Sequence, residues 1–243
     1  EVQIRSKHRP APAAVTALRV ADPLKSPTAG GEMASLAHVG MASDGDLPEV
    51  FLVVEADFEK VEGVVEAISG YTGGQRENPT YKEVSAGGTG HTEAVQVIYD
   101  PQKVSYSQLL DVFWRHVDPT DAGGQCVDRG SQYRPAIFYH DEDQKRLAEE
   151  SKRKLEASGR FNESIATEIV PVSEFYQAED YHQAYHKKDP LRYTHYRRSS
   201  GRDQYLASVW KEKAKEILAY HPEPVVGKYF AKDIDDLLKK KGW

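Results

Sequence analysis

The sequence predicts an α+β (mixed α/β) fold: a small central sheet flanked by helices, with a long wrapping C-terminal loop region. Three observations point there. Short apolar runs of β-branched character interleave with segments whose apolar residues fall at helical spacing. The strand-like runs are not all separated by full crossovers. The stretch 174–201 is dense in Tyr, His and Arg and shows no sustained period.

In chain order, residues 1–46 are rich in Ala, Pro, Gly and Ser, as in Pro10-Ala11-Pro12-Ala13-Ala14 and Ser26-Pro27-Thr28-Ala29-Gly30-Gly31. They are expected to form a flexible leader, with the folded domain spanning 47–210. Residues 50–54 are a short apolar run that suits a buried strand. That strand is expected to run into a helix carrying Phe58 and Val61. Residues 92–99 read as a strand with Glu93, Val95, Val97 and Tyr99 on one face, closed by Asp100-Pro101. Ser105 caps a helix with Leu109, Leu110, Val112 and Phe113 on its apolar side. Residues 135–139 form another strand, and Asp141 opens a charged helix to about Ala157, with Glu149 and Arg153 at a supportive spacing. Residues 165–172 complete the strands. The segment 174–201 then wraps as an ordered loop with one short helix, and 211–243 is a helical tail with Phe230, Ile234, Leu237 and Leu238 at helical intervals.

Composition narrows the function classes. The 243 residues hold 39% hydrophobic and 29% charged residues with no apolar run near twenty, so no spanning helix and no membrane partner are expected. The net charge is -6, and the basic stretches Lys152-Arg153-Lys154, Arg197-Arg198 and Lys239-Lys240-Lys241 are short and separated, which gives no support for a nucleic-acid partner. Cys126 is the only cysteine, so no internal disulfide can form. The chain starts at Glu1 without an initiator Met or an apolar signal core, which suggests a processed product. A cytoplasmic monomer is the expectation.

Five strings carry chemistry: Gly70-Tyr71-Thr72-Gly73-Gly74, Asn78-Pro79-Thr80-Tyr81, Gly87-Gly88-Thr89-Gly90-His91-Thr92-Glu93, Asp118-Pro119-Thr120-Asp121 and Asp128-Arg129-Gly130-Ser131-Gln132-Tyr133-Arg134. From about Phe51 to Trp210 the chain resembles the methionine sulfoxide reductase A family, with these strings in family order and spacing. The resemblance implies an oxidoreductase acting on methionine S-sulfoxide, free or in proteins, with thioredoxin as reducing partner and no cofactor. It implies that Glu93 is the acid, that the phenols of Tyr81 and Tyr133 grip the sulfoxide oxygen, and that Asp128 orients the pocket. Phe51 and Leu52 take the places of the aromatic cup, and His182 and Tyr185 those of the rear wall. These residue types suit the task. A sulfoxide carries its negative end on oxygen, so its departure needs a proton donor and hydrogen bonds that strengthen as the S–O bond breaks.

One position departs. Where the family has Gly-Gly-Cys-Phe-Trp, this chain reads Pro48-Glu49-Val50-Phe51-Leu52, so Val50 stands at the place of the attacking thiol. Without the nucleophile a positioned acid cannot supply the covalent route. The departures cluster in one short segment with dense matches directly downstream. Three readings stay open: a reductase impaired by this loss, a non-catalytic protein that binds oxidised methionine or a similar small dipolar ligand, and a thiol-independent acid/base enzyme using Glu93. Cys126 lies two residues before Asp128, where Arg129 would favour its thiolate, yet a lone cysteine is more often a small buried hydrophobe. Glu179, His182 and His186 fall at i, i+3 and i+7, a metal-ligand spacing, although a satisfied loop histidine pair is the preferred reading and no metal is expected. The run Gly87-Gly88-Thr89-Gly90 lacks the Lys-Ser or Lys-Thr that a phosphate cradle needs.

Overall fold

The computed structural model describes residues 50–211 and two short segments, 14–16 and 18–19; of Val50 and of those two segments it gives the backbone course. In chain order the strands are β1 (Ala14–Thr16), β2 (Leu18–Arg19), β3 (Val64–Thr72), β4 (Thr92–Tyr99), β5 (Gly124–Gln125), β6 (Asp128–Arg129), β7 (Ala136–Tyr139), β8 (Glu168–Pro171) and β9 (Phe175–Gln177). The helices are α1 (Val50–Phe58), α2 (Tyr81–Ser85), α3 (Tyr106–Trp114), α4 (Glu142–Ala157), α5 (Tyr185–Lys188), α6 (Pro190–Ser199) and α7 (Arg202–Val209), with a 3-10 turn at Ser131–Tyr133.

The mixed sheet runs β8-β7-β1-β4-β3-β9, with β2 also paired to β4. Its centre is the antiparallel pair β3 and β4, in which Tyr71 lies opposite Glu93. Glu93, Val95 and Val97 share the face of β4 that the alternation predicted, and all three are fully buried. Gly70 must be glycine: a Cβ there would come within 2.4 Å of the Tyr176 carbonyl and closer still to the Phe175 ring on β9.

Several expectations hold. Ser105 caps α3 in a capping box with Gln108, and Asp141 caps α4 by accepting from the Gln144 amide. On α4, Arg153 donates to the Glu149 main-chain carbonyl, and the side-chain pairs are instead Lys145 with Glu142, Arg146 with Asp143 and Lys154 with Glu150.

Three expectations are corrected. Residues 50–54 are not a strand but the first turns of α1, a helix whose residues 51–58 are all buried. It packs against β3, β4, α3 and α5. An apolar surface on every side decides the conformation there, and the β preference of three valines yields to packing. The segment 174–201 is more regular than a loop: it holds β9, α5 and α6. Asp189 accepts from the Arg192 amide and Pro190 occupies the first turn of α6, a start signal with a fixed φ and no wasted donor. The leader contributes β1, which lies between β4 and β7 and pairs antiparallel with both. A backbone placed between two strands has its donors and acceptors met on both sides, which needs no apolar period in the sequence. The tail beyond Lys211 lies outside the described residues.

Candidate active site

Residues from α1, β3, α2, β4 and the turn before α5 converge. Thr80 caps α2 in a capping box with Glu83, which sets Tyr81 as the first helical residue. The Tyr81 amide donates to Glu179 Oε1 at 2.8 Å, and the Tyr71 hydroxyl donates to Glu179 Oε2 at 2.9 Å. One carboxylate thus ties the start of α2 to β3. The His182 ring lies 4.9 Å from the Tyr81 ring, 5.2 Å from Phe51 and 4.2 Å from Tyr181, and Phe51 lies 6.1 Å from Tyr71. The structure therefore brings Phe51, Tyr81 and His182 together. Burial pushes His182 down to about 4, against the opposing pull of Glu179, so the imidazole is neutral at neutral pH. Its 3.9 Å approach to Glu179 is not an ion pair under those conditions.

A second cluster surrounds Asp128. The Tyr196 hydroxyl donates to Asp128 Oδ2. Burial raises the Asp128 carboxyl, while Tyr196 and Arg202 oppose the rise. Burial, then the charges of Asp128 and Glu93, push the Tyr196 phenol upward. Glu93 is fully buried and acts on the same phenol. Tyr196 thus bonds one acid and feels the charge of the other; no motif string contains it, so nothing in the sequence singles it out. Tyr133 lies in the 3-10 turn, which packs on β4. Gly130 precedes that turn at φ 138°, and Gln132 Nε2 donates to the Ser85 carbonyl at 2.9 Å, holding the turn against the end of α2. The elements bearing Tyr81 and Tyr133 are thereby joined.

Leu52 and Tyr185 are buried in the main apolar core, and the Tyr185 hydroxyl has no hydrogen-bond partner there. The Glu179, His182 and His186 trio does not share one helix face. Ala184 adopts a left-handed φ of 49° between the two histidines, Glu179 holds Tyr71 and Tyr81, and His186 turns to Glu59 at 3.4 Å. His91 has a role the sequence analysis did not assign. Its Nδ1 accepts from the Gly74 amide at 3.2 Å and its Nε2 lies 2.7 Å from the Arg76 carbonyl, an arrangement that suits the tautomer with the proton on Nε2. A Cβ at Gly74 would lie 2.4 Å from the His91 nitrogen, so this glycine permits the junction of two motif loops.

Cys126 is half-buried at φ 55°. Burial raises its thiol, and Arg202 lowers it only in part. Arg129, expected to favour a thiolate there, is instead paired with Asp121. Burial thus disfavours the thiolate there.

The family model described as peptide methionine sulfoxide reductase matches residues 49–214. Peptide methionine sulfoxide reductase MsrA of Bacillus licheniformis is 54% identical over 159 residues, covering 65% of this chain and 88% of that protein. MsrA of Listeria monocytogenes is 53% identical over 154 residues, covering 63% and 87%. Among solved structures, methionine sulfoxide reductase A of Corynebacterium diphtheriae is 38% identical with a TM-score of 0.52, covering 58% of this chain and 71% of that one. Mxr1 of Saccharomyces cerevisiae in reduced form is 32% identical with a TM-score of 0.55, covering 58% and 82%.

Proposed function

The chain belongs to the peptide methionine sulfoxide reductase family, and on that premise we propose that it recognises methionine S-sulfoxide without carrying out the thiol step. The observation that carries this reading is the convergence of the Phe51, Tyr81 and His182 rings, with the buried Glu93 lying across the sheet from Tyr71, whose ring neighbours Phe51. Phe51 and the neutral His182 ring offer an apolar wall to the methyl group. The phenols of Tyr81 and Tyr133 are the donors to the sulfoxide oxygen, and Glu93 is the acid. Asp128, held by Tyr196, orients the pocket. Donors aimed at an oxygen discriminate against the thioether, which offers them no oxygen to bond.

Reduction itself requires electrons from a nucleophile, and a valine side chain has none to donate. Cys126 is poorly suited to replace it, since burial disfavours its thiolate. With one cysteine in the sequence, thioredoxin would find no intramolecular disulfide to reduce. The test is dithiothreitol- or thioredoxin-dependent formation of methionine from its S-sulfoxide. The expected rate equals background, and Cys126→Ser leaves it unchanged. Turnover that Cys126→Ser abolishes would overturn this reading and make Cys126 the nucleophile.

A further inference from the structure

Glu55 is 1% exposed on α1, one helical turn beyond Phe51, and it stands in a closed ring of hydrogen bonds. Its Oε2 accepts from the Ser69 hydroxyl at 2.7 Å and its Oε1 from the Ala184 amide at 2.7 Å. The Ser69 main chain is held in turn by Gln183. The Ser69 amide donates to Gln183 Oε1 at 3.0 Å, and Gln183 Nε2 donates to the carbonyls of Ser69 and Ala178 at 2.9 Å. The Gln183 amide thus pairs with β3 as a peptide group would, directly beyond the last residue of β9. Ala184, a non-glycine residue in the left-handed region, is kept there by its bond to Glu55. The turn fixed at both ends of this ring carries His182.

We propose that Glu55 is a positioning residue: through Ser69 and Ala184 it sets how closely the His182 turn lies against Phe51 and Tyr81, and its ionisation loosens that wall. The proposal rests on the reading of the site as a sulfoxide pocket. The groups around Glu55 leave its charge uncompensated. Just past the end of α1, Glu59 repels it; Glu59 itself takes Lys187 and lies 3.4 Å from His186. Lys187 of α5 is the cation that acts on Glu55, and it does so more weakly than burial. From the turn, Glu179 is engaged with Tyr71 and Tyr81, and His182 is neutral at neutral pH. From β3 only the Ser69 hydroxyl faces it. Among the described residues no cation lies within ion-pair distance of Glu55. Burial pushes its carboxyl up to about 7, against the two hydrogen bonds that favour the charged form. An opened turn would hydrate the carboxyl and return it to the ordinary range. By linkage, raising the pH through 7 therefore favours opening.

The experiment is amide hydrogen exchange of Ala184 in the ligand-free full chain, expressed as a protection factor so that the intrinsic pH dependence of exchange is removed. Between about pH 5.5 and about pH 8.5, protection should fall by at least about tenfold with a midpoint near 7. Glu55→Gln keeps an acceptor for Ala184 and a donor for Ser69, and should give a flat profile. Ser69→Ala removes a bond that favours the carboxylate and should move the midpoint to higher pH. The affinity for methionine S-sulfoxide should follow the same curve in the natural chain and lose it in E55Q. A flat profile in the natural chain, or an E55Q profile as steep as the natural one, overturns the proposal. Absence of sulfoxide binding at every pH sinks the functional reading alone, since the Ala184 profile still decides the role of Glu55.

Discussion

Two buried carboxyls stand two residues apart on α1 and face opposite sides of the helix, Glu55 toward the site and Asp57 toward the core. What separates them is a cation. Asp57 Oδ1 receives Arg197 Nη1 at 2.6 Å, while the Arg197 Nε and Nη2 engage Asp203 and its Nη1 also reaches the Tyr193 hydroxyl at 3.0 Å. Burial alone would raise Asp57, but Arg197 and His116 outweigh it and hold the carboxyl below its ordinary value. Glu55 receives only neutral donors and sits near 7. The same helix thus supplies a permanently charged anchor between α1, α6 and α7 on one side and a titrating latch on the other. A buried acid is fixed by a guanidinium and made adjustable by its absence.

The largest effect should come from the anchor. Arg197→Met leaves Asp57 and Asp203 buried without a counter-charge and is expected to cost about 3–5 kcal/mol in urea unfolding; a loss below about 1 kcal/mol would mean that the two carboxylates find water or another cation. The latch should respond with the opposite sign. The shift of Glu55 from 4.5 to about 7 corresponds to about 3 kcal/mol of penalty on its charged form. Glu55→Gln is therefore expected to stabilise by up to about 3 kcal/mol above pH 8 and to be nearly neutral near pH 4.5. Because the Glu55 value is raised, the stability it contributes is full below 4.5 and is lost as the pH climbs through 7. Because the Asp57 value is lowered, its contribution is present above 3.8 and lost as the pH falls. Unfolding curves across this range should show both slopes, and E55Q should remove only the one between 4.5 and about 7.

A third acid sits between these extremes. Asp128 has a neutral phenol as donor and Arg202 acting on it from beyond. Tyr196→Phe should cost about 1–2 kcal/mol, less than Arg197→Met, because the half-buried carboxyl keeps access to water. Binding of the sulfoxide should weaken along with it. A variant as unstable as Arg197→Met would place Asp128 with the anchor.

Much of this was legible in the sequence where local chemistry decides structure. Ser105 and Asp141 announce α3 and α4 by their caps, and the alternation over 92–99 gives β4 together with the buried place of Glu93. A motif string led to Tyr81 and the family resemblance to Phe51 and His182, and the structure brings the three together. What stayed hidden depends on partners distant in sequence. Residues 50–54 read as a strand because valine favours one, and only enclosure by the sheet and by α3 and α5 makes them helical. Glu55 and Gln183 look like solvated polar residues until β3 is seen between them. Tyr196 gains its meaning from Asp128, which lies 68 positions away.

The central claim is that the pocket keeps its grip on the sulfoxide oxygen although the thiol is gone. Calorimetric titration of the natural chain with methionine S-sulfoxide and with methionine at about pH 6, where the Glu55 latch is closed, tests it most directly. The sulfoxide should bind at least about tenfold tighter, and Tyr133→Phe or Glu93→Gln should shrink that margin. Equal affinity for the two ligands would contradict the claim.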